Sequence, residues 1–305
     1  MNEHILSWLL QEDNPGVRVR TLTGLVQLPR DHEKVRKARR LVLDALPTAR
    51  DLSWMDLKGQ VLVYNLTALA ESGLSREDVS IEAVASILLS QPFDANCGDL
   101  MALRAMVMLG YGRDPRVERR LEQLRDAQRP DGAWLCLHRV EKMHREPKSC
   151  IRAAMHGLLL AGELRKQGLC LEGSQQLVDY FLRRRLFYRT DDPAKLVLPD
   201  HPGKRMVDSF FPSEYFRVGL PLLLDALAVL GVGQSPALHE AWILLEGKKD
   251  EHGRIPLEGT LPRNKSYLAR ERVGQPSKWG TLYAYLAWNS RGEGGAASLP
   301  QSTAA

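Results

Sequence analysis

Cys97, Cys136 and Cys150 are the residues of this sequence best suited by type to hold a metal. Thiolates are the usual protein ligands of zinc, which takes four donors in a tetrahedron. A fourth donor has candidates in His138, two positions after Cys136, and in His144 and Asp99. The competing reading is that the three are buried small apolar side chains, because the chain contains no Cys-x-x-Cys. Cys170 sits in a turn pattern and is left aside. A second group of residues could do acid–base work. Asp208 and Glu214 flank an aromatic cluster, and a carboxyl buried there would have a raised pKa and could act as a general acid. The same two residues also make reasonable helix caps. Phe211, Tyr215, Trp279 and Tyr283, with Phe210, Phe216 and Trp288, could line an apolar cavity able to stabilise a carbocation by cation–π contact. Ordinary core filling is the competing and favoured account, since aromatics dominate cores in general. His156, amid Met155, Leu158 and Leu159, reads as a core histidine rather than a ligand or base.

The element that must position these groups is the stretch from Asn96 to Trp134. Leu100, Leu103, Met106, Val107 and Leu109 follow the period of a buried helix face. Gly110 and Gly112 end that helix, and Asp114-Pro115 supplies an N-cap with proline at the first position of the next. Val117, Leu121 and Leu124 give the second helix one apolar side, opposite a dense set of charges. The unit recurs. Moved forward by 121 residues, Leu103, Gly110, Gly112, Pro115 and Gly132 fall on Leu224, Gly231, Gly233, Pro236 and Gly253. Moved back by 37, Leu103, Gly110, Gln128 and Asp131 fall on Leu66, Gly73, Gln91 and Asp94. A looser copy follows Cys150. Recurring helix pairs imply stacked units that share a continuous core.

The chain has 305 residues, 44% of them hydrophobic and 26% charged, with a net charge of +5. These values are those of a globular chain long enough for a substantial core. The basic runs at 35–40 and 183–185 lie on helix patterns and read as solvated faces. Nothing in them has the aromatic or groove-reading character of a nucleic-acid site, so nucleic acid is not an expected partner. The longest apolar run, 218–232, is interrupted by Pro221 and Asp225 and is too short to span a bilayer. The expected location is the cytoplasm, in the absence of a signal-peptide layout. Four cysteines in a chain of this size make no disulfide framework. The expected organisation is a HEAT-like helical entry module over 1–46, a repeat domain over 47–289, and a disordered tail over 290–305 rich in Gly, Ala and Ser. Long irregular segments are expected at 188–213 and 250–275.

The string Gln128-Arg-Pro-Asp-Gly-Ala-Trp134 resembles the Gln-x-x-Asp-Gly-x-Trp repeat motif of squalene and terpene cyclases and of protein prenyltransferase β-subunits. Lys249-Asp-Glu-His-Gly-Arg-Ile255 is similar to a degenerate copy, and Gln91-Pro-Phe-Asp94 to a more degenerate one. The resemblance covers roughly residues 60–288 and extends to a bacterial group of prenyltransferase/squalene-oxidase-repeat proteins. It implies an all-α fold, an α/α-toroid in which inner helices surround a cavity and outer helices wrap them. It also implies that successive inner-helix starts and their adjoining loops share one end of the barrel, so that Cys97, Cys136 and Cys150 could converge there. The motif itself has a structural role, capping helix ends with Gln and Asp while Trp packs the exit loop. It certifies no activity.

The departures bear on function. The Asp-x-Asp-Asp acid motif of class II terpene cyclases is absent from the sequence, and Asp191-Asp192 lacks the further carboxylate of a metal-diphosphate motif. Asp94-Ala-Asn-Cys97 has the wrong spacing for the prenyltransferase zinc ligands. Two classes of function follow. One is an isoprenoid-handling protein of cyclase or prenyltransferase type, binding or transforming an apolar ligand in a central cavity, with Zn2+ at its rim as the expected cofactor. The other is a catalytically silent scaffold that holds a protein or a lipid-like partner. A deep apolar cavity with a buried carboxyl favours the first, a filled centre the second.

Overall fold

The computed structural model describes residues 2–45, 60–135, 148–197, 218–258 and 271–293. Among them the chain forms twelve α-helices and one two-residue ladder. The helices are α1 (Glu3–Leu9), α2 (Pro15–Arg20), α3 (Glu33–Ala45), α4 (Gln60–Glu71), α5 (Glu82–Ser90) and α6 (Cys97–Met106), then α7 (Pro115–Asp126), α8 (Ile151–Lys166), α9 (Ser174–Leu182), α10 (Leu220–Val229), α11 (His239–Glu246) and α12 (Lys278–Glu293). Helices α2 and α6 each run on into a π-helical turn, Thr21–Leu25 and Val107–Tyr111. Strands β1 (Ile255–Pro256) and β2 (Pro276–Ser277) pair antiparallel, Ile255 opposite Ser277. No helix among the described residues is long and apolar enough to cross a membrane.

Which helices lie inside follows from their faces. Nine of the ten residues of α10 are buried, as expected of a helix that is apolar all round. In α7 only Val117, Arg120 and Leu124 are buried, a single stripe with charges opposite. Packing obeys that division. Helix α4 packs on α6, α6 on α8, α8 on α10 and α10 on α12, while α7, α9 and α11 flank α6, α8 and α10. Helix α12 also packs on α2 and its π turn. The first 45 residues are therefore part of the same core. Lys278 at the start of α12 bonds Gln11 (2.8 Å) and Asp13, and Arg30 reaches the carbonyl of Gly73 (3.1 Å) after α4.

Local geometry repeats at the spacings of the sequence. Gly73, Gly110, Gly168 and Gly231 follow four of the inner helices, all left-handed, with φ of 76°, 96°, 69° and 89°. A left-handed residue closes off a helix because its N–H turns back to the last carbonyls. In the exit loop the Arg129 N–H donates to Ala133 O (2.9 Å) and the Gly132 N–H to Arg129 O (2.8 Å). The corresponding residues, 121 positions on, make the same two bonds: Asp250 N–H to Arg254 O (2.8 Å) and Gly253 N–H to Asp250 O (2.9 Å). The N-caps match as well, Asp114 accepting from the Arg116 N–H and Ser235 from that of Ala237.

The exit loop after α7 is held by its motif residues. Gln128 Nε2 donates to Gly132 O (2.9 Å) and to Gly173 O (3.0 Å), which ties the loop to the start of α9. The Asp131 carboxylate accepts from the Ala133 N–H (3.2 Å) and the Ser149 hydroxyl (2.8 Å). Gly132 must be glycine: its φ is 94°, and a Cβ would lie 2.2 Å from Gln176 O. Trp134, with no exposed surface, donates Nε1–H to Leu124 O (2.8 Å).

One expectation from sequence is corrected by the backbone. The tail was expected from residue 290, but α12 continues to Glu293. The reason is Ser290, whose hydroxyl donates to the buried Asp225 carboxylate (2.6 Å) and holds the last turns down. Within the entry module, the short α2 passes into the π turn, and Gln27 follows at a left-handed φ of 59°.

The Trp134 indole rests on Gly157 of α8, where an added Cβ would come within 2.4 Å of Cζ3. Alanine is the better helix former by about 1 kcal/mol, but overpacking a core typically destabilises by about 1–3 kcal/mol. Gly157→Ala is expected to lower the urea midpoint of unfolding; an unchanged or higher midpoint would mean that the indole does not depend on this gap.

Candidate functional site

Two of the three zinc-candidate cysteines meet. Asn96 caps α6 by accepting from the Gly98 N–H (2.7 Å) and the Asp99 N–H (3.2 Å), and the Asp99 carboxylate accepts in return from Asn96 N–H (3.2 Å) and Asp94 N–H (2.9 Å). This cap fixes Cys97 as the first residue of α6. Cys150 is the residue before α8, and its N–H donates to Trp134 O (2.7 Å), so the exit-loop motif sets its position. The two Sγ atoms are 3.8 Å apart. The backbone amides of Asn96 and Asp94 both bond one Asp99 oxygen, Oδ2. Burial raises the Asp99 pKa, against the lowering effect of those hydrogen bonds. Cys136, His138 and His144 lie outside the described residues. Among those described, no group of three or more His, Cys, Asp or Glu side chains is disposed to hold a metal. Cys170 is exposed, with its Sγ 3.6 Å from Leu171 O.

Farther along the same helices lies a cluster of charges. Arg104 is two turns beyond Cys97, about 10 Å along α6, and is 4% exposed. Its guanidinium meets the carboxylate of Glu71, the last residue of α4, at 2.5 Å. Glu71 has no exposed surface, and its other oxygen accepts from the Tyr283 hydroxyl of α12. Glu163 of α8 stands 3.9 Å from Arg104 and 3.4 Å from Lys166. Lys166 reaches Asp225 of α10 at 2.7 Å, and Ser290 of α12 bonds that carboxylate from the other side. The charge of Arg20, the last residue of α2, acts on Glu163 as well. Helices α2, α4, α6, α8, α10 and α12 thus each contribute to one network of alternating sign, buried at Glu71, Arg104 and Asp225 and open to solvent at Lys166.

The network sets its own protonation. For Glu163, burial alone would raise the pKa, but Lys166, Arg104 and Arg20 outweigh it and carry it down to about 2. Burial also pushes the Tyr283 phenol well above its ordinary 10.0, and the adjacent Glu71 charge adds to the effect. Tyr283 therefore keeps its proton and donates a hydrogen bond to Glu71. Lys166 loses by burial and gains more from Asp225 and Glu163, so it stays a cation. At neutral pH this arrangement holds ions in place and has no proton poised for transfer.

The other sequence candidates are dispersed. His156 is buried, 3% exposed, within the apolar run of α8. Trp279 and Tyr283 stack with centroids 5.7 Å apart, interplanar angle 25°, and are 0% and 3% exposed. Trp279 lies against Gly16 of α2. Both are core positions. Asp208, Glu214, Phe211 and Tyr215 lie outside the described residues. No protein-family model matches the chain, and no curated protein matches it.

Sequence reading missed the network. Its one local signal is a lone charge inside an apolar run: Glu71 in Leu-Thr-Ala-Leu-Ala-Glu, Arg104 in Met-Ala-Leu-Arg-Ala-Met, Asp225 in Leu-Leu-Leu-Asp-Ala-Leu. Partners 33 and 212 positions apart give such charges no visible pairing.

Removing one member of a buried pair leaves the other charge uncompensated, typically a loss of about 3–5 kcal/mol. Arg104→Ala is expected to destabilise by that amount in chemical denaturation; a loss below about 1 kcal/mol would show the pair to be solvated. Acid acts through Glu163. Its folded pKa of about 2 lies below its ordinary 4.5, so its contribution is fully present above 4.5 and fades as pH falls toward 2. Glu163→Gln should flatten the decline of stability between those pH values. An identical decline in the variant would remove Glu163 from the cause.

Proposed function

We propose that this chain is an α/α-toroid of the kind shared by terpenoid cyclases and prenyltransferase β-subunits, working as a non-catalytic helical-repeat scaffold that holds a protein or lipid-like partner. Two features support the architecture. Alternate helices pack in succession from α4 to α12, and α12 returns to α2. Four of the inner helices end on left-handed glycines, and the exit-loop hydrogen bonds recur at a spacing of 121 residues.

One observation carries the functional half: the charged groups inside this set of helices are matched to one another. A cyclase that starts by protonating an apolar substrate needs a carboxyl that holds a proton and faces that substrate. Glu71 instead faces Arg104 and Tyr283, Glu163 faces Arg104 and Lys166, and Asp225 faces Lys166 and Ser290. An ionised network at this level is a poor lining for an isoprenoid chain, because an apolar ligand offers no partner to the charges it would lie against.

The test is turnover against binding. The purified chain is incubated with squalene, farnesyl diphosphate and geranylgeranyl diphosphate, with and without Zn2+, and products are sought by mass spectrometry. No product is expected, together with unchanged stability in the presence of the two diphosphates. A cyclised or transferred product, lost in Glu71→Gln, would overturn the scaffold reading and make the network catalytic.

A further inference from the structure

The cysteine end of the helices carries chemistry that neither the scaffold reading nor the ionic network uses. Cys97 opens α6 and Cys150 precedes α8, two helices packed directly on each other. At 3.8 Å their sulfurs are in van der Waals contact, and a disulfide bond is about 2.05 Å long. Side-chain rotation with a small shift of the helix ends can supply the difference, since each cysteine sits at a helix terminus rather than mid-helix.

Three further features suit this pair to oxidation. Both thiols sit at helix N-termini, where the helix dipole favours the negative thiolate, the form that reacts, and the first turn of α8 after Cys150 has no side-chain cap to compete. The nearest carboxylate on α6, Asp99, is bound to backbone amides. Exposure is also graded: Cys150 is half-buried, whereas Cys97 is 8% exposed. An oxidant reaches Cys150 first, and Cys97 waits behind it.

We propose that Cys97 and Cys150 form a dithiol redox site that closes to an intramolecular disulfide when a hydroperoxide oxidises it, fastening the first turn of α6 to the entry of α8. The Cys150 thiolate attacks the O–O bond of the hydroperoxide and becomes a sulfenic acid, while the other oxygen leaves as an alcohol, or as water for hydrogen peroxide. Cys97 sulfur then attacks the sulfenic sulfur, and the hydroxyl leaves as water with the thiol proton. Two thiols and one hydroperoxide thus give one disulfide, one alcohol and one water. A thiol reductant reverses the bond by exchange. The site is independent of the scaffold reading and stands or falls by its own test.

The full chain is reduced, freed of reductant and metal, and treated with tert-butyl hydroperoxide, followed by alkylation and peptide mapping without reduction. The expected result is a cross-linked peptide pair containing Cys97 and Cys150, with the free-thiol titre lower by about two per chain. The melting temperature should rise by several degrees and return on adding dithiothreitol. Cys170→Ser should keep the cross-link, and Cys97→Ser and Cys150→Ser should each abolish it. The wild-type map decides even if a variant misfolds. Three results would each overturn the proposal: Cys97 and Cys150 both alkylated after the peroxide is consumed, a cross-link joining either one to Cys136 or Cys170, or thiols of untreated protein that resist peroxide until a chelator strips a metal from them.

Discussion

A carboxylate with no exposed surface is expensive to bury, and Glu71 is such a group. Moving an ion of this kind out of water carries a penalty of several kcal/mol even after the protein relaxes. Two partners on different helices offset it, Arg104 from α6 and Tyr283 from α12. The requirement then passes along the structure. Arg104 also faces Glu163, Glu163 faces Lys166, Lys166 needs Asp225, and Asp225 takes Ser290. Any slip in the register of one inner helix would leave a charge without its partner. Apolar packing tolerates such slips far better, because hydrophobic contact is non-directional. The network therefore specifies how the helices are aligned, whatever it adds to their stability.

The outer parts of the fold solve a different problem, that of turning the chain between helices. The left-handed glycines end helices at fixed points, and the exit loops use the same short hydrogen-bonded turn at 129–133 and 250–254. In the first of these, Gln128 and Asp131 supply the donors and acceptors that loop backbone lacks, and Trp134 seals it against Gly157. In the second, Lys249, His252 and Ile255 stand in place of Gln128, Asp131 and Trp134, and Asp250, in the position of Arg129, holds the turn through the N–H groups of His252 and Arg254. The glycine, Gly132 in one copy and Gly253 in the other, is thus the part that the two turns share. The flanking residues answer to the neighbour each loop packs on.

This distinction explains what could be read from the sequence. Positions that obey a local rule were legible: Gly110 and Gly231 as helix ends, Asp114 as an N-cap, Gly132 in a turn, and α8 and α9 as a helix pair. Cys97 and Cys150 were legible as neighbours only because helix starts were expected at both. What escaped was whatever depends on distant partners. Nothing near Asp225 announces Lys166 or Ser290, and its place in an apolar run looked like a mere interruption. The end of α12 escaped for the same reason, since its Gly- and Ser-containing sequence reads as tail until Ser290 meets Asp225. The π turns after Arg20 and Met106 have no sequence signature of their own.

The two ends of the inner helices differ in what a ligand would meet. Around Glu71 the charges are matched, and inserting an apolar molecule there would separate ions that the fold has brought together. A polar molecule would have to replace bonds already formed at 2.5–2.7 Å. Exchange of that kind gives little net binding, because each new hydrogen bond replaces an existing one. At the cysteine end the helices present N-termini and two sulfurs in contact, groups whose state can change by chemistry rather than by insertion. Among the described residues, reactivity therefore belongs to the N-terminal ends of α6 and α8, and rigidity to the charged layer some turns below.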